Sequence, residues 1–178
     1  GIIQLTEHAA LDAARQGFED ALNASGLNVT IETQNAQGEQ TICATIATKF
    51  VNDKVDLILA IATPAAQAAI TAAEGTGVTV LFTGVGEVSA LGLEDGLVAS
   101  NDAPGGNVSG TSDMNPVKDQ ANLLVQLVPE AKTVGIMYHS SEDNSVLQAE
   151  MAQEALEALG LTVEIFTCAD GTEVQAVA

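Results

Sequence analysis

The chain has 178 residues and carries 24 acidic against 5 basic side chains, a formal net charge of −19, while 47% of its residues are apolar. A disordered chain would contain fewer apolar residues, and no run of about 20 consecutive apolar residues is present that could span a membrane. The negative charge disfavours binding to nucleic acid or to an anionic membrane surface, because both require a basic protein surface.

The first half of the sequence alternates short apolar strands with amphipathic helices. The predicted elements are a strand at 2–5, a helix at 8–25 that stops at Gly26, a strand at 29–33, a polar loop at 34–38, a helix at 39–52, a strand at 57–62, a helix at 64–73 and a strand at 78–82. Residues 57–62 are apolar on both faces, which is typical of a strand inside a parallel sheet that helices cover. Pro64 is favourable in the first turn of the helix that follows.

The alternation of strands and helices stops at residues 83–113, which hold seven glycines and Pro104, with extended pieces predicted at 97–99 and 107–110. The alternation then resumes. The predicted elements are a helix at 115–128, a strand at 133–138, a helix at 144–159 ended by Gly160, a strand at 161–167 and the start of a helix at 171–178.

Repeated strand–helix units predict an α/β fold, a parallel sheet flanked by helices with right-handed crossovers. The irregular middle indicates two Rossmann-like lobes with a boundary near 111–115. We predict an N-terminal α/β lobe at 1–113 and the start of a second, truncated α/β lobe at 114–178. The abrupt start at Gly1 and end at Ala178 indicate that both ends are cut.

The two cysteines, Cys43 and Cys168, lie far apart and form no CxxC motif. Neither has a histidine beside it, so a zinc site is not expected. Two buried free thiols are the favoured interpretation, and a disulfide stays open as an alternative.

In open α/β sheets, ligands bind beyond the carboxyl ends of the strands. Five loops that follow predicted strands, 6–8, 63–65, 83–86, 111–113 and 139–144, carry small hydroxyl or acidic side chains. Helix N-termini follow several of these loops, and their N–H groups favour a carboxylate or a phosphate. Since Asp113 and Glu7 could hold an ammonium group, a small zwitterion would satisfy both tendencies.

The same residues also have plain structural interpretations. Ser, Thr and Asp before a helix are usually N-caps, and His8 fits a capping or surface position better than a catalytic one. No GxGxxG follows the first strand, no GxxxxGK[ST] motif is present, and Ser112 does not lie in a GxSxG elbow. Because no nucleophile–base pair and no metal cluster stands out, the sequence favours binding over catalysis.

Four segments together resemble a known family. Residues 3–12 (IQLTEHAALD), 60–67 (AIATPAAQ), 104–113 (PGGNVSGTSD) and 134–142 (VGIMYHSSE) are similar, in this order, to the solute-binding component of a family of bacterial ABC transporters, some of whose members are assigned to tryptophan or other aromatic amino acids. The chain departs from the family at two places. His139 stands where a small polar residue is expected, and residues 84–86 replace a segment that in the family often carries Asp-Pro a few residues further on.

The resemblance implies a type I periplasmic-binding fold in which a ligand, here an aromatic amino acid, is bound between two lobes and passed to an ABC permease. It implies no catalysis, no cofactor, no metal and no membrane insertion of this segment. It also implies a location in the periplasm or at the cell surface, with a lipid anchor on a removed N-terminus as one form of attachment. The ligand contacts that the resemblance and the strand ends indicate are Glu7, His8, Thr63, Pro64, Thr83, Gly84, Val85, Ser112, Asp113, Tyr138, Ser140, Ser141 and Asn144.

Two other classes of function stay open at this point. A nucleotide-dependent enzyme on a Rossmann-like sheet would need the glycine fingerprint that the first strand lacks. A sensor domain of the kind attached to sugar-responsive repressors shares the fold, and would need a basic helix-turn-helix upstream.

Overall fold

The computed structural model describes residues 1–91, 103, 106–169 and 172–178. The chain divides into two compact units, Gly1–Met114 and Asn115–Ala178, which we call unit 1 and unit 2. None of the helices in the described ranges combines the length and the apolarity that crossing a bilayer requires.

Unit 1 is built on a five-stranded sheet in the order β2-β1-β3-β4-β5, and each neighbouring pair is parallel. Its elements are β1 (Ile2–Gln4), α1 (Ala9–Ala24), β2 (Thr33–Asn35), α2 (Gln40–Asn52), β3 (Leu57–Ile61), α3 (Thr63–Ala73), β4 (Thr79–Val85), a 3₁₀ turn (Val88–Leu91) and β5 (Val108–Ser112). Parallel neighbours joined through helices are the arrangement that the alternating sequence predicts. The α/β class, with a parallel sheet flanked by helices, is therefore confirmed.

The central strand β3 is buried on both faces of this sheet. Ile58 and Ala60 belong to a cluster that includes residues of α2 and α3. Leu59 and Ile61 lie in a second cluster, against which residues of α1 pack. Because successive side chains of a strand point to opposite faces, this division explains why residues 57–61 are continuously apolar rather than alternating.

The prediction of a strand at 29–33 is wrong, because the strand that forms is β2, at Thr33–Asn35. Among the strands that the structure describes, β2 is an edge strand that pairs with β1 alone, and the pairing begins with Thr33 opposite Ile2. Residues 29–32 before it lie outside the strand. The carbonyl oxygen of Glu32 accepts a hydrogen bond from the N–H of Ile2 at 2.7 Å, but Val29 is 42% exposed. Pairing with β1 therefore outweighs the local alternation, and Gln34 and Asn35 are strand residues rather than loop residues.

Strand β4 extends three residues further than the sequence predicts. Beyond an irregularity between Phe82 and Val85, Val85 pairs with Ser112 of β5. Thr83, Gly84 and Val85 are therefore part of the strand and not of the loop after it. The extended piece predicted at 97–99 lies outside the described residues.

The described residues of unit 2 form two parallel strands and three helices: α4 (Val117–Leu127), β6 (Thr133–His139), α5 (Asp143–Ala158), β7 (Thr162–Cys168) and α6 (Val174–Val177). Helix α5 packs against both strands and against α4. Gly160 follows α5 with φ +85°, a left-handed conformation that glycine adopts without strain. Pro116 is the N-cap of α4, one position before the helix begins.

Both cysteines are buried free thiols, Cys43 in unit 1 and Cys168 in unit 2, as the sequence favours. Burial raises the pKa of the Cys43 thiol to about 11, so this group stays protonated at neutral pH. Cys168 Sγ lies 3.5 Å from the carbonyl oxygen of Tyr138, which joins the ends of β6 and β7.

Gly110 of β5 provides a test of the packing between β4 and β5. A Cβ on Gly110 would overlap the ring and the carbonyl oxygen of Phe82, so Gly110→Ala should lower the free energy of unfolding by about 1–3 kcal/mol. Gly17→Ala is the matched control, because nothing lies within 4 Å of a Cβ there. In the interior of α1 it should raise the free energy of unfolding by roughly 0.5–1 kcal/mol. Denaturant titration of both variants measures the difference, and equal effects would contradict the packing described.

Candidate functional site

The carboxyl ends of β1, β3, β4 and β5 lie side by side, because these strands are adjacent and parallel. We call this side of the unit 1 sheet, where the strands end, its carboxyl edge. The strand order reverses between β1 and β3, and such a switch point opens a crevice beyond the strand ends. The structure therefore brings nine sequence-predicted residues to this edge: Glu7, His8, Thr63, Pro64, Thr83, Gly84, Val85, Ser112 and Asp113.

The connection from β3 to α3 is unusually short. β3 ends at Ile61 and α3 begins at Thr63, so Ala62 is the only residue between them. The backbone N–H of Ala62 donates a hydrogen bond to the carbonyl oxygen of Thr83, at 3.0 Å. The first turn of α3 is consequently held directly at the end of the central strand.

Thr63 is a buried polar residue with no partner for its side chain. Only 2% of the residue is exposed, and Thr63 Oγ1 makes no hydrogen bond. The N-cap residue, Ala62, has no polar side chain to satisfy the first N–H groups of α3. Pro64 in the first turn has no N–H. A buried hydroxyl and an uncapped helix N-terminus together form a place where an anionic group can be bound.

Hydrogen bonds join the ends of β4 and β5. Thr111 Oγ1 donates to Thr83 Oγ1 at 3.0 Å, Ser112 Oγ donates to the carbonyl oxygen of Gly86 at 2.5 Å, and the N–H of Asp113 donates to the carbonyl oxygen of Val85 at 3.0 Å. These bonds leave the Asp113 carboxylate exposed at the edge. The Val85 side chain is fully buried in the core, so only its main chain could contact a ligand.

The loop between β1 and α1 is held by a network of polar side chains that the sequence does not reveal. The Gln4 side chain, on a residue only 2% exposed, donates to Asp12 Oδ1 at 2.7 Å and to the carbonyl oxygen of Thr6 at 2.8 Å. Arg15 Nε donates to Gln4 Oε1 at 3.0 Å. The network fixes the start of α1 relative to β1 and leaves Glu7 exposed above it.

His8 is the N-cap of α1. Its Nδ1 accepts a hydrogen bond from the N–H of Ala10 at 3.3 Å, which is the capping role that the sequence favours over catalysis.

The four predicted residues of unit 2 lie at the end of β6 and the start of α5. Tyr138 is half-buried and Ser140 and Ser141 are exposed. Ser140 donates from its N–H and its Oγ to the carbonyl oxygen of Cys168, at 3.0 and 3.4 Å. Asn144 is half-buried, and its Oδ1 is a buried acceptor without a hydrogen-bond partner.

Sequence reasoning overlooked a contact between Ser141 Oγ and His139 Nδ1, which are 3.0 Å apart. The spacing His-x-Ser just before a helix is the signal that could have indicated it. A hydroxyl–imidazole contact acts as a nucleophile–base pair only together with an orienting group and an oxyanion hole.

Among the residues that the structure describes, no three His, Cys, Asp or Glu side chains are grouped so as to hold a metal ion.

A cavity of about 590 Å³ lies at the opposite edge of the unit 1 sheet, near the amino ends of β1 and β3. Its walls are mainly apolar and include Phe18, Leu22 and Ile31. Asn28, Thr30 and Glu32 add polar groups to its lining, whereas Thr63 Oγ1, a buried hydroxyl without a hydrogen-bond partner, lies at the carboxyl ends of the strands. The carboxyl edge is therefore the better candidate site.

Comparison with known proteins gives a consistent result. A family model described as "ABC transporter substrate binding protein" matches residues 1–178. The tyrosine-binding protein of Clostridioides difficile (strain R20291) is 44% identical over 154 residues, which cover 84% of this chain and 43% of that protein.

Solved structures agree in fold. An ABC domain in complex with L-Trp from Streptococcus pneumonia is 36% identical with a TM-score of 0.89, covering 99% of this chain and 59% of that one. The leucine-binding protein LivK of Thermotoga maritima is 17% identical with a TM-score of 0.70, covering 96% of this chain and 48% of that one. These likenesses confirm the predicted type I periplasmic-binding fold. The chain spans less than two thirds of the length of each of these relatives.

Thr63 permits a test of the site without any ligand. Replacing it with the nearly isosteric valine removes a buried hydroxyl that has no partner, so Thr63→Val should raise the free energy of unfolding by about 1 kcal/mol. Thr83→Val is the control, because it removes a hydroxyl that is hydrogen-bonded to Thr111 and should lower stability. Thermal and denaturant unfolding measure both, and a destabilised Thr63→Val variant would show that the hydroxyl is satisfied within the protein.

Proposed function

We propose that this chain, which belongs to the family of ABC transporter substrate-binding proteins, is part of a protein that binds an aromatic amino acid outside the cytoplasm and delivers it unchanged to an ABC permease. Unit 1 corresponds in this proposal to the first lobe, and unit 2 to the start of the second. Two relatives that are 36% and 44% identical support an aromatic ligand, since one is in complex with L-Trp and the other is named a tyrosine-binding protein.

The observation that carries the proposal is the unpartnered hydroxyl of Thr63 at the N-terminus of α3. A buried hydroxyl without a hydrogen bond costs free energy, and a ligand that accepts from it recovers that cost. The carboxylate of an amino acid suits this position, because it can accept from the hydroxyl and from the free N–H groups of the first helical turn. Thr63 is therefore proposed as the principal carboxylate contact, with Pro64 as part of the wall beside it.

Exposed carboxylates at the same edge suit the other end of an amino acid. Glu7 follows β1 and Asp113 follows β5, and both side chains are exposed. We assign them to the ligand ammonium group, which a carboxylate can bind through charge-assisted hydrogen bonds. Thr83, Gly84, Val85 and Ser112 would complete the unit 1 contacts, through hydroxyl and main-chain groups.

The net charge of −19 is compatible with this ligand. A free anion approaching the protein would be repelled at long range, whereas a zwitterion has no net charge. Its carboxylate is then held only by short-range contacts at the N-terminus of α3. The charge therefore favours a zwitterionic amino acid over a dicarboxylate or a phosphate.

In unit 2, we propose Tyr138, Ser140, Ser141 and Asn144 as ligand contacts. The buried acceptor Asn144 Oδ1 is suited to a donor such as the ammonium group. In this mechanism, ligand shifts the protein toward a closed form only because it binds that form more tightly, and the closed form is the one that the permease recognises. No chemical step is required, which is why we propose a binding protein rather than an enzyme.

Calorimetry on the full-length protein tests the proposal. Titration with L-tryptophan, L-tyrosine and L-phenylalanine, and with L-leucine, L-glutamate and glucose, should give binding only for aromatic amino acids. Absence of binding to all three aromatic ligands, or tight binding of glucose instead, would contradict it.

The role of Thr63 is tested in the same assay. Thr63→Val should weaken binding by about 10- to 100-fold, which corresponds to losing one hydrogen bond to a charged group, about 1.5–3 kcal/mol. Thr48→Val is the matched control, because that exposed hydroxyl bonds only to the carbonyl oxygen of Ala44 within α2. An equal affinity of Thr63→Val and Thr48→Val would remove Thr63 from the site.

A further inference from the structure

The turn between β3 and α3 has a strained backbone. Ala62 has φ 87° and ψ 156°, a combination that is open to glycine and costly for a residue with a Cβ. Two other non-glycine residues have positive φ, Gln37 at 55° and Lys54 at 57°, and both angles fit the ordinary left-handed helical region. Within the described residues, Ala62 is thus the non-glycine residue with the least favourable φ.

Contacts on both sides of Ala62 hold this conformation in place. Its N–H donates to the carbonyl oxygen of Thr83, and its own carbonyl oxygen accepts from the N–H of Ala66, both at 3.0 Å. Gly84 packs against it, since a Cβ on Gly84 would lie 3.5 Å from the Ala62 nitrogen. Strain of this kind persists only where the surroundings determine it, and it is concentrated at functional sites.

The conformation has a direct structural consequence. Because Ala62 alone makes the turn, α3 starts at Thr63 without a loop, and its first turn has little freedom relative to the sheet. The first turn of α3 therefore carries the unpartnered Thr63 Oγ1, on a residue only 2% exposed, at a fixed place beyond the end of β3. A ligand that binds there does not have to order the turn.

We infer that Ala62 is a positioning residue, whose strained backbone aligns Thr63 Oγ1 and the first N–H groups of α3 for the ligand carboxylate. This inference rests on the proposed function of the site. The strained backbone lowers the stability of the protein with or without ligand, and in return the ligand encounters hydrogen-bond donors that are already in place.

The test is Ala62→Gly in the full-length protein. For this variant the inference predicts a more stable protein that binds its ligand more weakly. Glycine adopts this backbone without strain, so the melting temperature without ligand should rise by roughly 2 °C. The greater freedom of glycine must be lost again on binding, so the dissociation constant for L-tryptophan or L-tyrosine should increase about two- to fivefold.

Lys54→Gly is the matched control. Lys54 also has a positive φ, of 57°, but it precedes β3 and so lies at the other edge of the sheet. Glycine there should also raise the melting temperature, with no change in affinity for either amino acid.

The outcomes separate the inference from the function on which it rests. A higher melting temperature together with weaker binding of Ala62→Gly, and unchanged binding of Lys54→Gly, supports the positioning role. If Ala62→Gly binds as tightly as the wild type, or is not stabilised, the inference fails while the proposed function stands. If the wild type binds neither amino acid, the proposed function fails and the inference fails with it.

Discussion

One residue, Ala62, separates the central strand β3 from α3, so the helix begins at the edge of the sheet where β1, β4 and β5 also end. The contacts that we propose for Thr63 and Pro64 depend on this constraint. A longer loop would move the first turn of α3 away from the strand ends, and Thr63 would then be free to point to solvent. The hydrogen bond from Ala62 to Thr83 links the turn to β4, and the bond from Thr111 to Thr83 links β4 to β5.

The site combines two features that are unfavourable in the protein without ligand. A backbone in a glycine-like conformation at Ala62 costs about 1–3 kcal/mol, and an unsatisfied buried hydroxyl at Thr63 costs a similar amount. The net stability of a domain is only about 5–15 kcal/mol, so these costs are substantial and indicate a function that offsets them. A carboxylate ligand would offset the cost at Thr63, because it satisfies the hydroxyl, whereas the strained backbone of Ala62 is retained in the complex.

The elements buried on both faces or along one clear face could be predicted from the sequence. β3 is recognisable because continuous apolar residues suit only a covered parallel strand, and α1 and α5 are recognisable from helical periodicity ended by Gly26 and Gly160. β2 is different, because its position depends on pairing with β1, and the alternation at 29–33 is misleading there. The extension of β4 to Val85 depends in the same way on its pairing with β5 beyond an irregularity.

The edge of the sheet that carries the candidate site was also predictable, since it follows from the parallel topology. What the sequence does not contain is the state of each side chain at that edge. Thr63 resembles any threonine beside a helix start, and only the structure shows that its hydroxyl lacks a partner. The backbone of Ala62 is held by Ala66 and by Thr83 and Gly84. Since Thr83 and Gly84 are distant in the sequence, a local sequence pattern cannot indicate this conformation.

The most direct measurement is a crystal structure of the full-length protein with bound L-tryptophan or L-tyrosine. The account predicts a carboxylate oxygen within about 2.5–3.2 Å of Thr63 Oγ1 and of an N–H group in the first turn of α3, with the positive φ of Ala62 retained. An amino acid bound with its carboxylate away from α3, or a Thr63 hydroxyl still without a partner in the complex, would contradict it.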